Sequence, residues 1–280
     1  MNVIAPRPEK TAAQADLVFA KSPDGKTFLA RQFVPYPFHI TRPFYLDLVP
    51  AGMATVYLQS AAGGTYRGDR LGLNLTVKET AAAHVTTQAS TLVNAGRGGQ
   101  VTLHQRFLVG RHGLLEFMPD PLILLAGADC RTETEIHLQE EASLLYCDAV
   151  LAHDPEERGL PPRAFRSHLR LLDASKRPVL IDRYVLGMPG ASLDSLGDLP
   201  CHATFLCVAP QMTPELASKL SHELSDRDSV YAGVSLLRED SGLWVRLIAT
   251  DGVALTKSLH FLWKWARLAI TGRPAALRRK

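Results

Sequence analysis

The chain has 280 residues, 46% hydrophobic and 21% charged, a globular balance with enough apolar matter to bury a sizeable core. A net charge of +3 is too small to argue for nucleic acid. The longest apolar runs, such as Leu122 to Ala126, fall far short of the ~20 residues that cross a bilayer.

In chain order, Met1 to Asp16 lacks a continuous apolar stretch and reads as a loose polar arm, with residues 1–14 expected to be flexible. A strand-like run at Tyr57 then breaks at Gly63-Gly64, crosses a short loop to Gly68-Asp69-Arg70, and resumes as Leu71, Leu73, Leu75 and Val77 in alternation with Gly72, Asn74 and Thr76. The glycines give the loop freedom for positive φ or close backbone approach around a lone carboxylate. Alternation continues at Val101–Phe107, at Thr132–Leu138 opposite Glu133, Glu135 and His137, and at Phe165–Leu171. Further strand-like runs are Leu144–Val150, Val179–Leu186, Ala203–Val208, Tyr231–Leu237 and Leu243–Ala249, with turn signals such as Gly98-Gly99, Pro119-Asp120-Pro121 and Asp251-Gly252 between many of them. Many strands without long helices between them predict an all-β architecture, largely antiparallel or coiled, in a single domain.

Two helices are predicted near the C-terminus. Thr213-Pro214-Glu215 supplies an N-cap, a proline at the first helical position and an acidic first turn, ahead of Leu216, Leu220 and Leu224. The second runs from about Val253 to Thr271 with an apolar stripe of Leu255, Leu259, Leu262, Trp263, Ala266 and Ile270, and ends at Gly272 and Pro274. A basic tail, 276–280, follows. Cys130, Cys147, Cys201 and Cys207 form no CxxC pair and read as reduced, small core residues; with no segment that resembles a secretion signal, the expected location is the cytoplasm.

The chemistry inventory is negative. Gly63 and Gly68 have the spacing of a phosphate-binding loop, but Asp69 stands where a lysine would hold the phosphate. The ten histidines form no HxxxH or HExxH pattern, and a strand histidine such as His84, His104 or His168 reads first as solvent-facing. Cys201-His202 has no nameable third ligand. Glu133 and Glu135 share a strand face and are the one conceivable acid/base pair, the basis of an alternative reading as a carbohydrate-active β-helical enzyme. Neither a GxSxG elbow nor a Ser/His/Asp arrangement is visible. A scaffold or chaperone fits this inventory better than an enzyme; a metal-independent assembly scaffold is the remaining alternative.

Five short motifs in order carry a resemblance: Arg42-Pro43-Phe44-Tyr45; Gly63-Gly64 to Gly68-Asp69-Arg70-Leu71; Thr86-Thr87-Gln88-Ala89; Leu115-Glu116-Phe117-Met118-Pro119; and Ala126-Gly127-Ala128. Val245-Arg246-Leu247, Leu262-Trp263 and Gly272-Arg273-Pro274 extend it. Over roughly residues 15–275 the chain resembles the urease accessory protein family UreD, called UreH in some systems. The resemblance implies a β-helix-like body with two helices and no catalytic residues. It implies no tightly bound cofactor, nickel in transit through a polar passage, and the partners UreF, the GTPase UreG and apo-urease, with a nickel metallochaperone acting indirectly. Neither nucleic acid nor membrane is an implied partner.

Within that reading Asp69, Glu116, Thr86, Thr87 and Gln88 are the candidates for residues along the passage. Gly63, Gly64, Gly68, Asp69 and Arg70 form the family motif. Asp69 could equally cap the Gly68 turn. Glu116, in apolar company, needs a buried partner, for which Arg67 or Arg70 is available. Trp263 is the candidate partner-binding anchor, with burial in the core as the competing role.

Overall fold

The computed structural model describes residues 12–96, 99–157, 160–187, 200–225, 227, 229–238 and 241–278. The chain opens with strands β1 (Ala12–Lys21), β2 (Thr27–Phe33), β3 (Phe38–Ile40) and β4 (Ala54–Ser60). A coil follows: β5 (Arg70–Val77), β6 (Ala82–Thr87), β7 (Thr91–Val93), β8 (Val101–Val109), β9 (Leu114–Phe117), β10 (Leu122–Leu125), β11 (Asp129–Leu138), β12 (Ser143–His153) and β13 (Ala164–Leu172). It ends with β14 (Pro178–Leu186), β15 (Cys201–Val208), helix α1 (Pro214–Ser225), β16 (Val230–Leu236), β17 (Gly242–Ala249) and helix α2 (Gly252–Thr271).

The long strands of the coil alternate between two sheets. One sheet runs β14-β13-β11-β8-β5-β1-β2; the other runs β16-β17-β15-β12-β9-β6-β4-β3, with β7 and β10 joining it at the side through β12. Each turn of the coil stacks in parallel on the last, as in β5 on β8 and β8 on β11, or β6 on β9 and β9 on β12. Antiparallel strands close the ends: β14 and β2 on the first sheet, β15, β17, β16 and β3 on the second. The fold is an all-β solenoid with two helices.

Strand alternation determines which residues face inward. Leu71, Leu73, Leu75 and Val77 turn in from β5, and Phe107, Ile136, Leu115, Phe117 and Tyr146 meet them between the sheets. Phe107 and Phe117 sit with ring centroids 4.7 Å apart. Truncating such a buried aromatic to alanine costs about 3–5 kcal/mol. A second core lies on the other face of the second sheet, where Cys147, Phe205, Cys207, Val245 and Leu247 pack against the helices. There α1 buries Leu220 and Leu224, and α2 buries Leu255, Leu259, Leu262, Trp263 and Ala266. Asp251 caps α2 by accepting the Val253 and Ala254 N–H groups, each at 2.8 Å, and Gly272 ends the helix at φ 71° with its N–H on the Leu268 carbonyl. All four cysteines are free and buried, and burial pushes the Cys201 thiol up to about 11. Among the described residues no helix is long and apolar enough to cross a membrane.

Two boundaries differ from expectation. Strand β1 begins at Ala12, inside the stretch expected to be a flexible arm, because its residues pair in parallel with β5 from Ala12↔Arg70 to Phe19↔Val77; residues 1–11 lie outside the described residues. The basic tail does not stand apart from the body at residue 276 either. Ala276 N–H and the Arg278 guanidinium both bind the Asp47 carboxylate, at 2.9 and 2.5 Å, and the Arg278 side chain is only 4% exposed. Residues 279–280 lie outside the described residues.

Candidate functional site

The glycine motif builds a turn that locks the coil. Gly64 has φ 124°, and a Cβ there would stand 2.7 Å from both the Leu92 carbonyl and the Asn94 side-chain amide, so only glycine lets the loop approach β7 this closely. The Thr65 N–H then binds the Leu92 carbonyl at 2.8 Å, and the Asn94 N–H returns to the Thr65 carbonyl at 2.9 Å. Gly68, at φ 90°, precedes Asp69, whose carboxylate accepts the Tyr66 N–H at 2.9 Å while its own N–H binds the Tyr66 carbonyl at 3.0 Å. Asp69 is 5% exposed and placed as the capping residue of this turn. Arg70 opens β5 on the exposed side.

A cavity of about 610 Å³ opens beside this turn, between the two sheets. Thr65, Thr87, Gln88, Leu103, Thr132 and Asp148 are among its walls. Thr87 Oγ is held at 2.8 Å by the Asp120 N–H and donates to the Asp120 carboxylate at 3.2 Å. Gln88, exposed at the rim, is hydrogen-bonded to Gln59, which in turn meets His39 at 2.6 Å. Thr132 Oγ is buried in the wall without a hydrogen-bond partner. Asp148 borders the cavity, accepts Ser167 Oγ–H at 3.1 Å, and is pushed up to about 6 chiefly by burial. The cation that acts on it, Arg246, is already held by Asp182 at 2.7 and 2.8 Å and lies over the Tyr184 ring. Asp120, Pro119 and Cys147 also border a smaller cavity of about 40 Å³, which reaches Thr86, His84, Trp263 and Arg278.

Beyond that small cavity lies a fully buried ionic cluster. Glu116 receives His84 Nδ1 at 2.7 Å, Trp263 Nε1–H at 2.8 Å, and the Arg267 guanidinium through Nε and through Nη2, the latter at 2.5 Å. Arg267 Nη1 also pairs with Asp47 at 3.0 Å, and Arg278 completes the Asp47 pair. Burial opposes the charge on Glu116, but Arg267 and the His84 hydrogen bond overcome it and hold the carboxyl well below its ordinary range. Burial pushes the His84 imidazole down, so it is neutral with its Nδ1 proton on Glu116. Two carboxylates and two guanidiniums therefore cancel.

The expected Arg67 or Arg70 partner of Glu116 is corrected to Arg267. Leu115 and Phe117 face the core between the sheets, so Glu116 must face the opposite way, onto α2. His84, expected to face solvent, is 1% exposed for the same reason, Val85 beside it being the core residue. Trp263 is 4% exposed, its indole N–H spent on Glu116 and its ring 5.0 Å from His84, so it braces this face from within. Thr86 Oγ is buried and donates to the Met118 carbonyl at 2.6 Å. Glu133 and Glu135 lie on the outer face of the first sheet, the former paired with Arg131 and His104, the latter with Arg170 and His137. Among the described residues no group of three or more His, Cys, Asp or Glu side chains is placed to hold a metal ion.

The sequence reading missed Asp120, Asp148, Asp47 and Arg267. Asp148 left one local signal: Leu144, Tyr146 and Val150 are the inward positions of β12, and a carboxylate shares their parity.

Fold and site together define a β-solenoid with a largely apolar internal cavity, bordered by the polar side chains of Thr87, Asp120 and Asp148, and a helical cover pinned to it by buried ions. The chain's residues 11–280 match the family model described as UreD urease accessory protein. It is 35% identical over 257 residues to "Urease accessory protein UreD 1" of Bradyrhizobium sp. strain BTAi1, covering 91% of each chain. It is 33% identical over 279 residues to the protein of that name from Pseudomonas syringae pv. syringae strain B728a, covering 98% of this chain and 97% of the relative. A third, from Methylorubrum populi, is 34% identical over 95% of this chain and 91% of its own. The chain belongs to the UreD family of urease accessory proteins.

Proposed function

We propose that this protein is a non-catalytic scaffold for nickel delivery to apo-urease, working in the cytoplasm in a complex with UreF and the GTPase UreG. Family membership supports a role in urease maturation. The observation that carries the nickel reading is the cavity wall, where the Asp148 and Asp120 carboxylates and the Thr87 hydroxyl bring oxygen donors to an otherwise largely apolar lining. Oxygen donors without a tight chelating set suit a hard or borderline divalent ion that must enter and leave. The cavity pair that meets at Asp120 and Cys147 gives such an ion a course past Thr87 and Gln88 toward Thr86. GTP hydrolysis falls to UreG, since Asp69 occupies the position a phosphate-binding lysine would need.

The test is Asp148→Asn. The variant is expected to assemble with UreF and UreG as the wild type does, and to deliver less nickel to urease, read as metal content of the purified enzyme. Full nickel loading with the asparagine would remove the cavity from the delivery route.

A further inference from the structure

The outer face of the first sheet carries a charge pattern that the delivery route does not use. Alternation turns every second residue of β8, β11, β13 and β14 outward, and the register lines them up. Arg183, His168, Glu133 and His104 form one row across the strands; Arg170, Glu135 and Arg106 form the next. On the other side, Arg131 stands directly opposite Arg166. Neighbouring strands are only about 4.8 Å apart, and like charges directly opposite each other destabilise a sheet. A sequence selected for stability alone would avoid placing guanidinium against guanidinium, and imidazole against Arg183.

The acids on these strands are already shared. Asp129 serves Arg166 at 2.8 Å, Glu133 serves Arg131 at 2.5 Å and His104 at 3.0 Å, and Glu135 serves Arg170 and His137. Arg183 is exposed and has no ion pair among the described residues. Beside it, His168 Nε2 is buried without a hydrogen-bond partner, and burial together with Arg183 disfavours its charged form. The surface dips here into a hollow of about 510 Å³ whose floor includes Gly72, where β5 presents no side chain.

We infer that this face docks a carboxylate-bearing segment of a partner protein, with Arg183, Arg131 and Arg170 as the receiving guanidiniums. Arginine forks match carboxylates in a bidentate geometry. Glu133 and Glu135 at the centre break the positive field, so a continuous phosphate backbone is repelled where spaced carboxylates are not. Acidic protein is therefore favoured over nucleic acid.

The probe is a fluorescein-labelled octapeptide of alternating glutamate and serine, titrated with the full-length protein at low ionic strength and followed by anisotropy. Saturable binding that weakens with salt is expected, and Arg131→Glu with Arg183→Glu should lower affinity by about tenfold or more. Arg131→Gln with Arg183→Gln, which removes the like-charge contacts without creating new ones, should melt at or above the wild-type thermal midpoint and still bind more weakly. Absence of binding by the wild type, or equal affinity in the glutamine variant, overturns the inference. So does polyphosphate of equal charge binding as tightly as the peptide, which would make the face a general polyanion surface.

Discussion

Two regions of this molecule keep carboxylates away from bulk water, and they treat the charge in opposite ways. Around Glu116 each charge has an opposite charge beside it: Arg267 spans Glu116 and Asp47, Arg278 pairs with Asp47 while its Nε goes without a hydrogen-bond partner, and His84 and Trp263 fill the remaining acceptor positions of Glu116. Around the large cavity Asp148 has a serine hydroxyl, while Arg246 belongs to Asp182. The first arrangement ties β6, β9, the loop at Asp47, α2 and the C-terminal residues into one body. The second leaves a carboxyl pushed toward neutrality at the edge of the cavity. Charge-for-charge pairing is the mark of a structural cluster, whereas a carboxyl with no cation of its own keeps its charge available to a passing ion.

The largest effect is expected from breaking the satisfied cluster. Glu116→Gln leaves Arg267 buried with half its counter-charge, and removing one partner of a buried pair costs about 3–5 kcal/mol. Urea unfolding should show a lower midpoint with an unchanged slope; a wild-type midpoint would show that the cluster does not hold α2. The pH dependence has a definite sign. Because the folded carboxyl is held below its ordinary value of 4.5, its stabilisation is present above that pH and is lost as pH falls below it.

Asp148 should behave in the reverse sense. Its folded pKa of about 6 lies above the ordinary 3.8, so the folded state keeps a proton that the unfolded state releases. Stability is therefore lost as pH rises from about 4 to about 6, and the penalty is complete above that window. Asp148→Asn should stabilise the protein at pH 7.5 by roughly 2 kcal/mol, a figure reduced because the carboxylate borders the cavity, and should leave stability at pH 3.5 unchanged. Thermal melts at the two pH values measure this. A residue that weakens the fold and yet lines the cavity fits the trade between stability and function; an asparagine variant less stable at pH 7.5 would reverse the comparison between the regions.

Arg278→Ala probes the rim of the satisfied cluster. Asp47 keeps Arg267 and the Ala276 N–H, so the expected loss is about 1–2 kcal/mol, smaller than that of Glu116→Gln in the same urea titration. An equal loss would mean that the C-terminal residues, and not the Glu116 pair, are what pin the helix.

Much of the fold was legible because period-2 and helical patterns are local. Leu71 to Val77 and Thr132 to Leu138 announce which side faces in, and Thr213-Pro214 marks where α1 begins. Strand β1 was not legible: its place is set by parallel pairing with β5, more than fifty residues on, and nothing near Ala12 encodes that. The same physics hid the cluster. Glu116 and Arg267 are separated by 151 residues, and Arg267 sits in an apolar stripe where a cation gives no sign of its partner. Pro119-Asp120-Pro121 reads correctly as a turn between β9 and β10, but that reading says nothing of the Asp120 side chain, which turns back to Thr87.

The remaining substitution is at Asp69, and it bears on whether the cavity's chemistry extends into the glycine turn. The carboxylate accepts the Tyr66 N–H across the turn, a bond that an asparagine oxygen can make as well. Asp69→Asn keeps that bond and should therefore lower stability less than Glu116→Gln does in the same urea titration. Its charge is a separate matter, since a carboxylate attracts a divalent ion and an amide of equal size does so far less. Placed in a nickel route, the substitution would leave the accessory complex assembled and lower the nickel content of the urease it activates. Placed only as a turn residue, it would leave both unchanged. Wild-type activation by the asparagine variant, alongside a clear loss for Asp148→Asn, would confine the route to the cavity between the sheets and leave Asp69 as the residue that holds the loop closed.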